Sequence, residues 1–408
     1  MRLPTTVINL LHAIANAGGR AWMVGGCVRD HLLDKSAQDL DIEVHELHND
    51  DLLTLLNNHG RVKAVGKSFG VYKLRMRKHT LDISIPQVMR QAAEGGKIHG
   101  DPFIGQQNAA RRRDLTINAI YYCPLTQTYL DPFGGRRDLS ERTLRAVDSE
   151  TFAEDPLRVL RVMQFAARFE FEVAPSLVKL CRVLPLADLP PERVWIEFKK
   201  LLTKPTHPSI GLKTARLLDV FPRLIPDLDD DPSIDVRLDR AASARHQVGP
   251  HPRSLALVLA AMLSRCTPEQ VTAILDRFRV HNISGYPLRD RVLHAIKDAP
   301  KLLHIVTDSQ LKWMAEEGEI VLVAYLAWAI SGNKVPLHNL ERAHGLGVGF
   351  RPLPTLVGGA DLIELGVGKG PLMGELLRHV RRAQLDGEIN HKDEAIALLQ
   401  TQFNDQLK

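Results

Sequence analysis

Short apolar runs alternate with helical patterns over the first 140 residues. Six runs carry β-branched or aromatic residues and end near glycine, proline or aspartate: AWMVGG, LDIEVHEL, GVYKLRM, TLDISIP, NAIYYCP and TYLDPFGG. The N-terminal MRLPTTVINLLHAIANAGG places its apolar residues at helical spacing, so it predicts an amphipathic helix and no signal peptide. This region is therefore expected to form a layer of strands and helices.

Strand signals largely vanish after residue 140, and helical periodicity takes over in DPLRVLRVMQFAARF, PERVWIEFKKLL, SLALVLAAMLSR and GPLMGELLRHVRRAQLDG. Breaks rich in proline, glycine or aspartate occur at 219–235 and 345–359. The chain has 408 residues, too many for one compact core. We expect four domains, at 1–140, 141–225, 226–345 and 346–408.

Composition narrows the class of protein only slightly. Apolar residues make up 44% and charged residues 25%, as in ordinary globular proteins, and the net charge of +5 mildly favours a polyanionic partner. The four cysteines show no C-x-x-C spacing, which argues against a disulfide framework or a structural zinc site and favours the cytoplasm. No apolar run reaches the roughly 18 residues that a membrane span needs.

Two aspartates in VGGCVRDHLLDKSAQDLDIEVHEL are the first candidate site. On a strand, Asp39 and Asp41 point to the same face, and paired carboxylates suit Mg²⁺. Asp82, in TLDISIPQ, becomes a third carboxylate of the same cluster if its strand is a neighbour. Read alone, D-x-D fits an exposed strand face better, and Asp82 also fits an edge strand facing water.

The glycine pair Gly25-Gly26 precedes a predicted helix at Val28–Leu33. Without side chains, their backbone N–H groups could approach phosphate oxygens, and Arg29 could pair with a phosphate or the ribose. The spacing matches neither G-x-G-x-x-G nor the P-loop, and an ordinary turn explains the glycines equally well.

The segment RRRDLTINAIYY contains Arg113, Asp114 and Asn118. If this segment is helical, residues 114 and 118 share a face. Clustered arginines suit an anionic ligand, although a solvated basic turn is the alternative.

In AEDPLRVLRVMQFAARF, Asp155 is expected to cap a helix whose first residue is Pro156. Arg158 and Arg161 follow on one face of that helix. A plain helix cap explains Asp155 by itself. A carboxylate beside a guanidinium can also bond the donor and acceptor edges of a nucleobase.

Taken in order, the motifs GG-x-VRD, D-x-D, RRD-x-T-x-NA, DPFGG, ED-x-x-R-x-x-R and PERVWIEFKKLL resemble the class II tRNA nucleotidyltransferase and poly(A) polymerase family. The resemblance covers roughly residues 20–205. It implies an α+β fold, with a nucleotidyltransferase head built on a small mixed β-sheet and all-α neck, body and tail domains. Base recognition would lie in the neck, and tRNA binding in the neck and the tail.

The resemblance also implies a role for each motif position. Asp39 and Asp41 would hold Mg²⁺, with Asp82 as a third catalytic carboxylate. Asp114 would contact the ribose 2′-OH. The nucleotide would be bound by the remaining matched positions together with Asp114: Gly25, Gly26, Arg29, Arg113, Asn118, Asp155, Arg158 and Arg161. Among these, Asp155 and Arg158 would read the base, and Arg161 would contact the triphosphate.

Some positions depart from the family pattern. Gln87 and Gln164 stand where many relatives carry arginine. These departures affect secondary contacts to the nucleotide or the loop and not the core chemistry. The predicted body resembles a degenerate HD domain, because His246 and His251 are present but no His-Asp dyad follows. We therefore expect no phosphohydrolase activity.

The expected function is addition of CCA to tRNA 3′ ends from CTP and ATP, without a template and with release of pyrophosphate. The long segment 87–110 argues against CC-only addition and leaves A-only addition open. A catalytically retired RNA-binding protein is the alternative from another class. Expected partners are tRNA, CTP and ATP, with no stable protein partner. Four residues, Lys369, Arg378, Arg381 and Arg382, form either a surface for the tRNA backbone or a solvated helix face.

Overall fold

The computed structural model describes residues 1, 3–36, 39–66, 70–77, 79–89, 98–228 and 230–403. Two compact units divide the chain. The first unit comprises Met1–Leu189 and Lys213–Leu224, and the second comprises Pro190–Leu212 and Ile225–Lys408. These borders differ from the four predicted domains, whose division stays a prediction. No helix in the described part of the chain is both long and apolar enough to cross a membrane.

A seven-stranded mixed sheet organises the first unit, in the order β3-β4-β5-β2-β1-β8-β9. Its strands are β1 (Arg20–Val24), β2 (Leu40–His45), β3 (Arg61–Gly66), β4 (Val71–Arg75), β5 (Thr80–Ser84), β8 (Tyr121–Cys123) and β9 (Thr128–Leu130). Strands β2 and β5 are parallel, and the other neighbours are antiparallel. Six of the seven strands lie in the predicted apolar runs, and β3 was not predicted.

Two short strand pairs lie outside this sheet. One is the antiparallel pair β6 (Gln87–Met89) and β7 (Ile98–Gly100), both within the 87–110 segment. Residues 90–97 of that segment lie outside the described residues. The other is the parallel pair β10 (Thr143–Leu144) and β11 (Glu172–Val173), which lies beyond the last predicted strand.

The helices of the first unit are short. They are α1 (Thr5–Asn16), α2 (Gly26–Leu32), α3 (Asn49–Asn57), α4 (Gln106–Arg111), α5 (Gly135–Ser140), α6 (Ser149–Ala153), α7 (Arg158–Phe169), α8 (Pro175–Val183) and α11 (Val220–Leu224), with a 3₁₀ turn at Thr116–Asn118. The amphipathic prediction for α1 is confirmed, because Val7, Leu10, Leu11 and Ile14 are its buried residues.

The second unit carries no strand among its described residues. Its helices are α9 (Pro191–Thr203), α12 (Ile234–Ala244), α13 (Arg253–Leu263), α14 (Pro268–Arg277), α15 (Leu288–Asp298), α16 (Asp308–Glu317), α17 (Ile320–Ser331), α18 (Val335–Gly345), α19 (Gly359–Glu364), α20 (Pro371–Asp386) and α21 (Lys392–Phe403). A 3₁₀ helix spans Ala299–Leu303, and α10 (Ser209–Leu217) contributes residues to both units. The predicted α+β fold with a helical remainder is confirmed.

Candidate active site

Strand β2 brings the predicted carboxylates together. Asp41 lies in β2, Asp39 immediately precedes it, and side chains two residues apart on a strand point to the same face. Because β5 pairs with β2 in parallel, Asp82 lies directly opposite Asp41. The condition set for Asp82, that its strand be a neighbour of β2, is therefore met.

The electrostatics of this carboxylate set suit a divalent cation. Burial raises the pKa of Asp41, and the negative charge of Asp82 raises it further, while Arg113 lowers it. Asp82 forms an ion pair with Lys73, whose Nζ lies 3.3 Å from Oδ1. Adjacent carboxylates that repel each other are the oxygen ligands that Mg²⁺ and similar ions accept. The residues present therefore fit a divalent metal.

Gly25 keeps the space beside these carboxylates open. It has a φ of +66°, and α2 begins at Gly26, two residues earlier than predicted. A Cβ atom on Gly25 would lie 3.3 Å from Nη1 of Arg113 and 3.7 Å from Oδ2 of Asp41. Asp41 and Arg113 thus both lie next to a backbone position that has no side chain.

Arg113 is held by residues that the sequence reasoning did not single out. Its Nη2 donates to Oε2 of Glu43 at 2.9 Å. Oε1 of Glu43 accepts from the hydroxyl of Tyr121 at 2.8 Å and lies 2.9 Å from Nε2 of His45. Burial disfavours the charge on Glu43, but Arg113 and His45 outweigh burial and lower its pKa. The alternation D-L-D-I-E-V-H was the available signal, since it puts Asp39, Asp41, Glu43 and His45 on one face.

Asp114 is buried, and both of its carboxylate oxygens accept hydrogen bonds. Its Oδ1 accepts from the Leu115 N–H at 2.8 Å and from Nδ2 of Asn118 at 2.9 Å. Its Oδ2 accepts from Nε of Arg161 at 2.7 Å. Burial opposes ionisation of Asp114, but the Arg161 charge and the hydrogen bonds lower its pKa. Residues 114 and 118 are in contact, but a 3₁₀ turn at Thr116–Asn118 brings them together, so the condition set for their shared face, a helix, is not met.

Arg29 lies in the interior, with 3% of its surface exposed. It donates to Oδ1 of Asp30 through Nε at 2.9 Å and Nη2 at 2.7 Å, and to Oδ1 of Asn118 at 2.6 Å. The guanidinium carbon lies 4.5 Å from the centre of the Phe169 ring. Arg29 therefore orients the Asn118 amide and joins α2 to α7.

The ED-x-x-R-x-x-R motif differs from prediction at its start. Helix α7 begins at Arg158, so the prediction that Pro156 is the first helical residue is wrong. The Arg158 N–H bonds the Asp155 carbonyl, three residues back, which makes a tighter turn than an α-helix allows. Oδ1 of Asp155 accepts from the Leu157 N–H at 3.2 Å, so this carboxylate stabilises that turn.

Arg158 holds the arginine-rich segment in place. Its Nη2 donates to the carbonyl of Arg112 at 2.7 Å, and its Nη1 donates to the carbonyl of Thr151 at 2.5 Å. Arg112 in turn forms an ion pair with Glu154 at 2.9 Å. The structure therefore joins the RRD and ED-x-x-R motifs, which lie more than forty residues apart in sequence.

A cluster of possible metal ligands also lies in the second unit. Nε2 of His294 is 3.6 Å from Asp298 and 3.5 Å from Glu317. Lys301 lies 2.7 Å from Asp298, and Lys297 lies 3.5 Å from Glu317. Because each carboxylate already has a lysine, we interpret this cluster as an ion-pair network.

One of the four basic residues predicted to form a surface on the tail, Arg381, is occupied by contacts within the protein. Arg381 pairs with Glu316 and donates to the Leu353 carbonyl at 2.7 Å. Its guanidinium therefore fixes α20 against neighbouring segments. Lys369, Arg378 and Arg382 are exposed and stay available to a ligand.

Comparison with known proteins agrees with these motifs. Residues 21–145 match the family model of the poly(A) polymerase head domain. The chain is 37% identical over 220 residues to the multifunctional CCA protein of Methylococcus capsulatus, covering 52% of this chain and 49% of that protein. It is 33% identical over 307 residues to the multifunctional CCA protein of Alkalilimnicola ehrlichii, covering 69% and 70%. The first of these alignments thus spans about half of the relative's length.

The fold agrees over a longer range than the sequence. The crystal structure of the Bacillus stearothermophilus CCA-adding enzyme in complex with CTP superposes with a TM-score of 0.76 at 22% identity, covering 99% of this chain and 100% of that one. This likeness shows the fold. The Alkalilimnicola alignment, together with the head-domain match, shows that the chain belongs to the poly(A) polymerase family of nucleotidyltransferases, to which the CCA-adding enzymes belong.

Proposed function

We propose that this protein adds the 3′-terminal CCA to tRNA, using CTP and ATP without a nucleic-acid template. The observation that carries the proposal is the register of Asp41 opposite Asp82, beside the Gly25 turn and Arg113. This arrangement combines a ligand set for a divalent metal with space and positive charge for phosphate groups. The names of the relatives supply the substrate class.

In the proposed reaction, the 3′-hydroxyl oxygen of tRNA attacks the α-phosphorus of the nucleotide. A new phosphodiester bond forms, the bond to the β-phosphate breaks and pyrophosphate leaves, while the hydroxyl proton passes to solvent water. Asp39, Asp41 and Asp82 would hold Mg²⁺, which when bound would neutralise phosphate charge and make the hydroxyl easier to deprotonate.

The other site residues would bind and orient the nucleotide. Gly25 and Gly26 leave room for phosphate oxygens close to the backbone, and Arg113 supplies a fixed cation beside them. Arg161 is proposed as a further triphosphate contact. Because Arg29 is buried, we assign it to positioning Asn118 and not to a direct phosphate contact.

Recognition of ribose and base would involve the joined motifs. Asp114 is proposed to accept the ribose 2′-hydroxyl, while Asn118 and Arg161 fix its two oxygens. Asp155 and Arg158 are proposed to read the base edge. To do so, Arg158 would have to break at least one of its hydrogen bonds to the backbone carbonyls of Arg112 and Thr151.

An extension assay tests the proposal directly. Purified protein and Mg²⁺ are given tRNAs that end before CCA, after C and after CC, with CTP or ATP supplied alone. A CCA-adding enzyme extends the first two with CTP and the third with ATP. Extension of the third tRNA alone would identify A-only addition. Retained tRNA binding without any extension would identify a retired RNA-binding protein.

The length of the 87–110 segment argues against CC-only addition, and the extension assay separates complete CCA addition from A-only addition. Partners under this proposal are tRNA, CTP and ATP, with no stable protein partner and with tRNA contacts on the exposed basic residues of the tail. Since these substrates are cytoplasmic, the proposal also places the enzyme in the cytoplasm.

A further inference from the structure

Glu43 is a buried carboxylate that the proposed chemistry does not use. It lies two residues from Asp41 on the same face of β2, but only 7% of its surface is exposed. A buried charge is costly unless it is paired and hydrogen-bonded. Glu43 meets that condition through Arg113, Tyr121 and His45, which together engage both of its oxygens.

Arg113 has two carboxylates on its side of the sheet. One is Glu43, which it contacts at 2.9 Å. The other is Asp41. A Cβ atom on Gly25 would lie 3.7 Å from Oδ2 of Asp41 and 3.3 Å from Nη1 of Arg113, so both groups lie near the same point. Arg113 forms a hydrogen bond and an ion pair with Glu43, and within the described residues neither kind of contact joins it to Asp41.

The neighbours of Glu43 explain why Arg113 pairs with Glu43 and not with Asp41. The Tyr121 hydroxyl and the His45 ring anchor Oε1, which leaves Oε2 directed at Arg113. The Tyr121 ring also lies beside the guanidinium, with 5.7 Å between its centre and Cζ of Arg113. Arg113 is therefore held from two sides.

We propose that Glu43 is a positioning residue, which holds Arg113 away from Asp41 and so keeps the Asp41 carboxylate available to a divalent metal. If Glu43 were neutral, Arg113 would keep its charge and would have Asp41 as the nearest anion of this strand face. An Arg113–Asp41 ion pair would then compete with the metal for the same oxygens. This inference rests on the proposed metal-dependent function.

Binding of Mn²⁺ to the protein without tRNA or nucleotide tests the inference, measured by calorimetry or by the free-Mn²⁺ resonance signal. We expect Glu43→Gln to weaken Mn²⁺ binding by about tenfold, which is the usual size of the loss when a residue that supports the metal ligands is replaced. Glu46→Gln is the matched control, because it removes the same charge at an exposed position of the same segment. It should leave the affinity within about twofold of wild type.

A double-mutant cycle separates positioning from a simple loss of negative charge. In an Arg113→Met background, Glu43→Gln should no longer weaken Mn²⁺ binding. A tenfold loss that persists without Arg113 would overturn the inference, since the charge of Glu43 would then act on the metal directly. If Glu43→Gln does not fold, Tyr121→Phe decides, because it removes one anchor of Glu43 and should weaken binding two- to threefold. An unchanged affinity in Tyr121→Phe would count against the inference.

Asp41→Asn distinguishes this failure from failure of the proposed function. Loss of Mn²⁺ binding in Asp41→Asn with no effect of Glu43→Gln would reject only the role of Glu43. Unchanged binding in Asp41→Asn would reject the metal site, and with it the basis of both proposals.

Discussion

Both units of the molecule contain an arginine–carboxylate pair with one buried partner, Arg237 in the second unit and Glu43 in the first, but the surroundings of the two pairs differ. In the second unit, Arg237 pairs with Asp231 and donates to the Ala261 carbonyl at 2.8 Å and to the Ser233 hydroxyl at 2.8 Å. In the first unit, Arg113 pairs with Glu43, and the same strand face then continues to Asp41 and Asp39.

The difference lies in the balance of charge. Around Arg237 the charges cancel, and the arginine joins α12 to α13 as a structural connection. Among the described residues, Asp39 and Asp41 form no ion pair, and Asp82 forms one, with Lys73. A partly buried excess of carboxylates raises the free energy of the folded state unless a cation binds. Unbalanced carboxylates therefore mark a ligand site, whereas a balanced pair marks the scaffold.

Asp41→Asn should break the unbalanced side of this comparison with the largest effect. We expect nucleotide incorporation into tRNA to fall by at least about 100-fold, because the proposed metal site loses a carboxylate ligand. The raised pKa of Asp41 means that its charged form is disfavoured by folding. Thermal unfolding of Asp41→Asn should thus occur at the same or a slightly higher temperature than in wild type.

Binding of tRNA is the control for that variant, and it should be retained. Normal incorporation by Asp41→Asn, or equal loss of incorporation and tRNA binding, would contradict the assignment of Asp41 as a metal ligand.

Arg237→Met should break the balanced side. It leaves Asp231 without its partner and removes the contacts to α13, so we expect the free energy of unfolding to fall by about 3–5 kcal/mol. Denaturant unfolding measures this loss. Arg279→Met is a matched control, since Arg279 forms an exposed pair with Glu192 and should cost less than about 1 kcal/mol. Equal losses in the two variants would remove the distinction between buried and exposed pairs.

The pH dependence of stability sharpens the same point. Burial opposes the charge on Asp231, but Arg237 and Ser233 outweigh it and hold the pKa well below its usual range. A carboxyl group whose pKa is depressed by folding stabilises the protein above its unfolded-state value of about 3.9, and loses that contribution as pH falls further.

Asp231→Asn should therefore lower the unfolding temperature at pH 7, and the difference from wild type should shrink below about pH 4. Differential scanning calorimetry at several pH values tests this expectation. A difference that stays constant down to pH 3 would show that the carboxylate charge contributes nothing.

Sequence could predict the parts of the site that are local in the chain. Asp41 lies on a strand as the alternation predicted, and Asp114 contacts Asn118, although through a 3₁₀ turn and not through the helix that the prediction assumed. Pairing of Asp41 with Asp82 could be stated only as a condition, because β3 and β4 lie between the two strands in sequence. Neighbourhood in a sheet is a property of the whole fold.

The sequence also could not separate buried charges from exposed ones. Arg29 looks like a phosphate ligand in the chain, yet it is buried against Phe169 and Asp30. Glu43 follows the same alternation as Asp41, but its role depends on Tyr121, which comes from β8. Position on a strand face is readable from sequence, whereas the partner of a side chain on that face is not.

Lys73→Met should produce the smallest effect and would sharpen the charge argument most finely. Lys73 is the ion-pair partner of Asp82, and its side chain is 51% exposed. Removing it should increase the carboxylate excess and tighten Mn²⁺ binding by about two- to fivefold, while the free energy of unfolding changes by less than about 1 kcal/mol. Lys63→Met is the matched control, because Lys63 lies opposite Lys73 on β3, one strand further from Asp82. Equal tightening in both variants would mean that general charge, and not the Lys73–Asp82 pair, sets the affinity of the site.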